Sequence, residues 1–443
     1  MSKLFRSLVV LAGLVTVVFA LSEVAFAGGV VVQTKQQARH TSRFTTPSVH
    51  ILNSAPTLPP AATAGQLLIS EFRLFGANGA NDEFIEIFNN SGANHTVVAS
   101  GTGTGYGVAA SDGVVRCTIP NGTTIPNRGH FLCANSGGYS LASYPAGNGT
   151  TATTDATYTL DISPNAGIAL FTSNVPAELS LATRLDAVGS TAETNTLYKE
   201  GTGYGTLLPF FTDHALYRDN CGKQGSITTF GNCPSGGNLV DTDNNANDFI
   251  FVDTGGLSSG QGQHLGAPGP ENLSAPIERN AVLSTASLDP CVSASSPPNR
   301  VRDFTSDPAN NSTFGTLEIR KTITNNSGGP ITRLRFRIID ITTFPAPSGI
   351  ADMRARTSGD LTVTVDRVPC GTGTSNVLVR GTVLEESSPG QQSSGGAFNS
   401  TLSAGVITLA TPLANGASID VRWLFGLEQT GLFKIFFNIE VLP

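Results

Sequence analysis

Asp82-Glu83-Phe84-Ile85-Glu86-Ile87-Phe88-Asn89 decides how the first half of this chain is read. Side chains alternate along a strand, so Phe84, Glu86 and Phe88 share one face while Ile85 and Ile87 share the other. Apolar residues on both faces predict a central strand of a sandwich. Working outward, Gln66-Leu67-Leu68-Ile69-Ser70-Glu71-Phe72 reads as the preceding strand, and Gly76 to Asp82 as the turn-rich loop between the two. Short strands recur further on. Gly113 to Cys117 and His130 to Cys133 flank Asn121-Gly122, a hairpin signal within a longer loop. Gly167 to Phe171, Arg184 to Val188 and Phe249 to Val252 continue the series, and Gly266-Ala267-Pro268-Gly269-Pro270 reads as an exit turn and a boundary.

A second series follows Ile277. Arg333, Arg335 and Arg337 alternate with Leu334, Phe336 and Ile338, which predicts a strand with an apolar core face and a basic, solvated face. A site for acidic polysaccharide is the alternative reading of that basic face. Ile419, Val421, Trp423 and Phe425 alternate with Asp420 and Arg422. In the last strand Phe433, Ile435, Phe437, Ile439 and Val441 take one face, with Lys434, Asn438 and Glu440 on the wet face and Phe436 as the exception. With 49 Gly, 25 Pro and 13% charged residues in 443, the composition is that of many short strands joined by turns. The fold class expected is all-β, with two antiparallel β-sandwich domains over residues 66–276 and 277–443. The junction around Pro268, Pro270 and Pro276 offers little apolar surface, so residues 277–443 are expected to fold independently.

Residues 1–27 read as a signal peptide. Lys3 and Arg6 precede an uncharged apolar run from Leu8 to Leu21, and Ala25-Phe26-Ala27 is a cleavage signature. The run is short for a membrane span. Residues 28–65 read as a flexible linker rich in Thr, Ser, Gln and Pro. The chain is therefore expected to be secreted, extracellular, periplasmic or at the cell surface, with no membrane span after cleavage. Export makes six cysteines an expected disulfide set. Local grouping favours Cys117 with Cys133, Cys221 with Cys233, and Cys291 with Cys370, out of the fifteen connectivities that six cysteines allow. From Gly28 to Ser274 there are 10 basic and 18 acidic residues, a net of −8, which repels a phosphate backbone. Nucleic acid is therefore not an expected partner.

The first domain resembles the lamin-tail domain of exported bacterial proteins. The residues that carry the resemblance are Leu68-Ile69-Ser70-Glu71-Phe72, Asp82 through Asn89, Ala109-Ala110-Ser111-Asp112-Gly113 and Ile125 through His130. Asp241 through Phe249 and Leu265 through Asn272 complete it. The resemblance implies an immunoglobulin-like β-sandwich and a non-catalytic module. It implies no ligand, because fold does not supply one. The second domain resembles a companion that follows such domains and has no assigned function.

Catalytic chemistry has little to build on. Of six histidines, His40 and His50 lie in the linker, and His95, His130, His214 and His264 are scattered. Glycine-rich Gly101 to Gly107 lacks dinucleotide spacing. Glu71 and Glu86 lie within apolar strands. They read as caps for loop amides or partners of Arg73 or Arg128, with acid–base chemistry as the alternative. Asp241, Asp243, Asn245 and Asp248 place oxygens at alternating positions as calcium loops do, but Ala246 and Val252 break the EF-hand pattern. The alternative is an Asx-rich turn that satisfies its own amides. No cofactor is expected other than this candidate calcium. The function expected is a non-catalytic extracellular binding or scaffold protein whose partner is an extracellular protein or polysaccharide. A calcium-assisted hydrolase and a structural matrix protein are the alternatives.

Overall fold

A computed structural model describes residues 62–147, 150–218, 239–253, 268–275, 277–278, 283–343, 352–385, 401–431 and 433–442. The expected signal segment, all but the last four residues of the expected linker, and the Cys221–Cys233 pair lie outside the described residues. The fold is all-β, and its only α-helix among the described residues is the single turn Asn245–Asp248.

The first half supplies two sheets. Its main strands are β1 (Leu67–Arg73), β2 (Phe84–Asn89), β3 (Gly105–Ala110), β4 (Val115–Pro120), β5 (His130–Asn135), β6 (Ala156–Tyr158), β7 (Ile168–Phe171), β8 (Arg184–Val188), β9 (His214–Arg218) and β10 (Phe249–Asp253). One sheet runs β6-β5-β2-β1-β9-β10 and the other β8-β7-β3-β4. All neighbours are antiparallel except β6 with β5. Strand β2 is central and buried along its whole length, as its two apolar faces require. Ile85 and Ile87 enter the core between the two sheets, together with Val108, Ile168 and Leu170. Phe84 belongs to a separate cluster on the opposite face with Leu132 and Tyr144.

Strands β4 and β5 do not form the hairpin that Asn121-Gly122 suggested. Val115–Pro120 pairs with β3, whereas His130–Asn135 pairs with β2 in the other sheet. Gly122, at φ 85°, turns the chain between sheets instead of between partners. The Cys117–Cys133 disulfide therefore ties the two sheets together through their core. Closing a loop of that length contributes about 3 kcal/mol in the chain-entropy model.

The second half supplies two more sheets, from β11 (Ile277–Glu278), β12 (Leu283–Ser287), β13 (Arg300–Asp303), β14 (Thr316–Asn325), β15 (Arg333–Thr343), β16 (Asp352–Arg356), β17 (Leu361–Asp366), β18 (Thr374–Val379), β19 (Val383–Glu385), β20 (Thr401–Ser403), β21 (Ser418–Gln429) and β22 (Phe433–Leu442). One runs β11-β22-β15-β20-β19, and the other β12-β14-β21-β16 with β13 alongside β14. Leu334, Phe336 and Ile338 of β15 meet Val421, Trp423 and Phe425 of β21 in a second core. Hairpin β17–β18 forms a two-stranded sheet over its own small cluster of Leu288, Val363, Val365 and Val379, and the chain just after it bridges to β21 at Arg380–Val421. Cys291–Cys370 fastens this hairpin's tip to the strand region before β13.

Two expectations fail here for one reason. Arg335 and Arg337 are buried, not solvated, and so is Glu440 on the supposedly wet face of the last strand. The turn at Pro268–Asn272, read as an open junction, is buried throughout. The outer face of the β1–β2 sheet covers them all. The charged face of β15 is thus an internal surface between the two sandwiches.

Trp423 is the sole tryptophan and meets the Phe336 ring edge-on with centroids 4.9 Å apart. Phe336→Ala should lower the stability of the second half by about 3–5 kcal/mol through the cavity it leaves. Denaturant unfolding followed by Trp423 fluorescence checks this. An unchanged midpoint would contradict the packing described.

Candidate functional site

The charged face between the sandwiches begins with a bulge. In β1, Leu67 and Ile69 point into the core, and strict alternation would send Glu71 after them. The register shifts between Ile69 and Glu71, so Phe72 enters the core and Glu71 turns outward. Glu71 then lies directly across from Glu86 on β2. His130, at the start of β5, and Tyr217, on β9, complete the outer face near them.

Three elements close over this face. The Pro268–Ala275 segment brings Glu271, β15 brings Arg335 and Arg337, and β22 brings Glu440. Arg337 Nη1 lies 2.9 Å from Glu271 Oε2, and its Nη2 lies 3.2 Å from Glu71 Oε2. Its guanidinium also sits over the Tyr217 ring. Arg335 Nη2 reaches Glu271 Oε1 at 3.5 Å, and its Nε pairs with Glu440, its direct neighbour across the strands. The Gly269 amide donates to Glu71 Oε1 at 3.0 Å. The Glu271 amide donates to Glu86 Oε2 at 2.6 Å, and the Ser70 hydroxyl donates to Glu86 Oε1 at 2.5 Å. A Cβ on Gly269 would collide with the Arg337 guanidinium, so a larger residue here requires that guanidinium to shift.

Glu71 and Glu86 therefore cap loop amides, one of the roles read from the sequence. Their cation is Arg337, with Arg73 engaged elsewhere by Asp82 and Asp213. Four carboxyl groups here meet two guanidiniums. Burial pushes Glu71 up to about 7, against the pull of Arg337, and Glu440 up to about 8, against that of Arg335. Burial and then Glu71 raise Glu86 well above the carboxylate range. Burial and then Arg337 push His130 down to about 3, so its imidazole is neutral. Protons thus trim the excess negative charge, and Glu271 helps hold Arg337 charged despite its burial. Glu86, His130 and Glu271 each offer one ligand atom within 4.8 Å of the others. The nearest cation to this trio is already the Arg337 guanidinium. With these side chains buried, the cluster can lock surfaces together.

A second cluster lies around Arg218 at the end of β9. Both Asp186 oxygens pair with Arg218 Nη2, at 2.8 and 2.7 Å, deep in the protein. Asp241 Oδ1 and Asp248 Oδ2 approach Nη1 at 3.3 and 3.6 Å. Of the four oxygen residues read from the sequence, only Asp241 and Asp248 join this cluster. Asp248 turns inward as an Asx cap, accepting from the Thr242 amide and hydroxyl and from the Asn244 amide. Asn245 is also buried, accepting from the Gly189 and Glu200 amides and donating to the Ala187 carbonyl. Asp243 is exposed in a left-handed conformation at the turn.

The Asp241–Asp248 loop is therefore an Asx-knitted turn docked on Arg218. Two acids that the sequence reading passed over stand beside Asp241, namely Asp186 on β8 and Glu200 after the Thr196–Tyr198 turn. Burial, then Asp186 and Asp241, push Glu200 up to about 9. The only sequence signal for Asp186 is a charge at an inward position of Arg184–Val188.

At the surface, Leu208 and Phe211 are each 72% exposed. Phe211 packs edge-on against Phe75 and Phe210, with ring centroids 5.4 and 5.9 Å apart. Among the described residues no helix is long and apolar enough to cross a membrane. Comparison with protein-family models, with curated proteins and with solved structures finds no match.

Two measurements test the seam. Arg337→Met should cost about 3–5 kcal/mol, because it leaves the buried Glu71 without its guanidinium partner and Glu271 with only the longer contact to Arg335. A melting temperature equal to that of the unsubstituted chain would refute the assignment. The pH dependence follows from Glu71. Its folded carboxyl binds a proton more tightly than the usual 4.5, so the stability it contributes is complete below pH 4.5 and is lost as pH rises through about 7. Glu71→Gln is neutral at every pH, so its melting temperature relative to the parent should rise from pH 5 to pH 8. A constant difference would contradict the burial of that carboxylate.

Proposed function

We propose that this chain is an extracellular, non-catalytic binding or scaffold protein built on a lamin-tail-like sandwich. The observation that carries the reading is exposed Phe211, stacked edge-on against the half-buried Phe75, with exposed Leu208 three residues before it in the chain. Apolar side chains scattered singly are ordinary, whereas clustered exposed ones mark contact surfaces. Phe211 is held edge-on by two neighbouring rings, so presenting it to a partner costs little conformational entropy. Supporting this, the Glu71–Glu86 pair is buried and accepts from the Gly269 and Glu271 amides in an internal seam. The partner class remains the one the sequence suggests, an extracellular protein or polysaccharide.

The test is a binding screen of the full chain against envelope polysaccharides and secreted proteins, with catalytic turnover measured in parallel. Phe211→Ala should weaken any specific binding about tenfold, a loss of roughly 1.4 kcal/mol. Binding unaffected by Phe211→Ala and Leu208→Ser would remove this surface from the reading. Hydrolysis of a screened substrate, abolished by Glu86→Gln, would replace binding with catalysis.

A further inference from the structure

We infer that Asp186, Glu200 and Asp241 form a site for a divalent cation of the calcium type, beside Arg218. The inference is independent of the binding surface proposed above and would add a bound ion to the first sandwich.

One carboxylate oxygen from each of the three lies within 4.8 Å of the other two. They come from three separate places in the chain, a strand, the segment after a 3-10 turn and the Asx loop, so local sequence does not force them together. Glu200 is 6% exposed, and its Oε2 is buried with no hydrogen-bond partner. Its other oxygen lies 3.3 Å from Arg184 Nη2. A buried carboxylate oxygen left without a donor is costly and calls for a cation or a proton.

Charge counting favours a divalent ion. Asp186, Glu200, Asp241 and Asp248 bring four carboxylates, whereas Arg184 and Arg218 bring two positive charges. The excess of two is the charge of one such ion. All the donors are carboxylate oxygens, without sulfur or imidazole, which suits calcium or magnesium more than zinc or copper. Asp241 keeps 19% of its side chain exposed, which opens the site to ion and water from one side. An irregular oxygen set completed by water fits calcium better than magnesium, which demands near-octahedral geometry. The competitor is a proton on Glu200.

The experiment is calorimetry and thermal melting of the chelator-treated full chain with calcium chloride, using magnesium and sodium chlorides as controls. Calcium should bind with a dissociation constant of roughly 10⁻⁴–10⁻³ M, as in extracellular modules, and should raise the melting temperature. Glu200→Gln and the partly exposed Asp241→Asn should each weaken binding at least tenfold, while Asp243→Ala should leave it unchanged. Absence of heat and of any melting shift up to 10 mM calcium (an upper limit about ten times the weakest affinity expected) would overturn the inference. A shift retained in both Glu200→Gln and Asp241→Asn, or lost only in Asp243→Ala, would overturn it as well. A folded Asp241→Asn, verified by circular dichroism, keeps the test decisive if Glu200→Gln fails to fold.

Discussion

Arg337 sits where two sheets would otherwise meet with carboxyl groups between them. It touches Glu271 on the connecting segment, Glu71 on the first sandwich and the ring of Tyr217 in one span. Buried ion pairs rarely add much net stability, because desolvation of both partners offsets their attraction. Their effect is on choice of geometry. An apolar seam tolerates sliding by a residue or two, whereas a guanidinium aimed at two carboxylates tolerates one position. The bulge in β1, the missing side chain of Gly269 and the burial of Pro268–Asn272 all follow from seating that group.

Much of the architecture was legible. Strands were legible at β1 and β2, and alternation gave β15, β21 and β22 with the correct core faces, because a period of two reports directly on which residues share a side. Two of the three cysteine groups are bonded as local grouping suggested. Alternation does not report what lies against the other side. A strand that reads Arg-Leu-Arg-Phe-Arg-Ile looks the same whether its basic face meets water or a row of glutamates. The partners here, Glu71 and Arg337, are 266 residues apart, so no local window holds both. The bulge was invisible for a related reason. Its evidence is that Glu71 would otherwise enter an apolar core, an argument available only once the core is known.

The Asp241–Asp248 loop shows the same limit in miniature. Its oxygens were legible as a set, but their jobs were not. Asn245 and Asp248 spend their lone pairs on amides, some of them far away in sequence, such as that of Gly189. Asp241 faces Asp186, which reaches it from β8, and Glu200, which reaches it from the segment after the Thr196–Tyr198 turn. Both clusters have one composition, a buried arginine amid more carboxyls than it can neutralise. The difference lies in closure. The seam resolves its surplus with protons behind a sealed face, whereas the Arg218 cluster stays partly open at Asp241.

The seam also bears on the chain while it is half made. The first sandwich is complete before β15 is synthesised, so its outer face must wait uncovered. That face also carries Phe84, Phe88 and Leu132, and without charges among them it would be a sticky surface on every unfinished copy, the kind that draws partly folded chains into aggregates. Glu71, Glu86 and Glu271 instead become hydrated anions that repel a neighbouring copy. When Arg335 and Arg337 arrive, the same residues that kept unfinished molecules apart draw the second sandwich into its place.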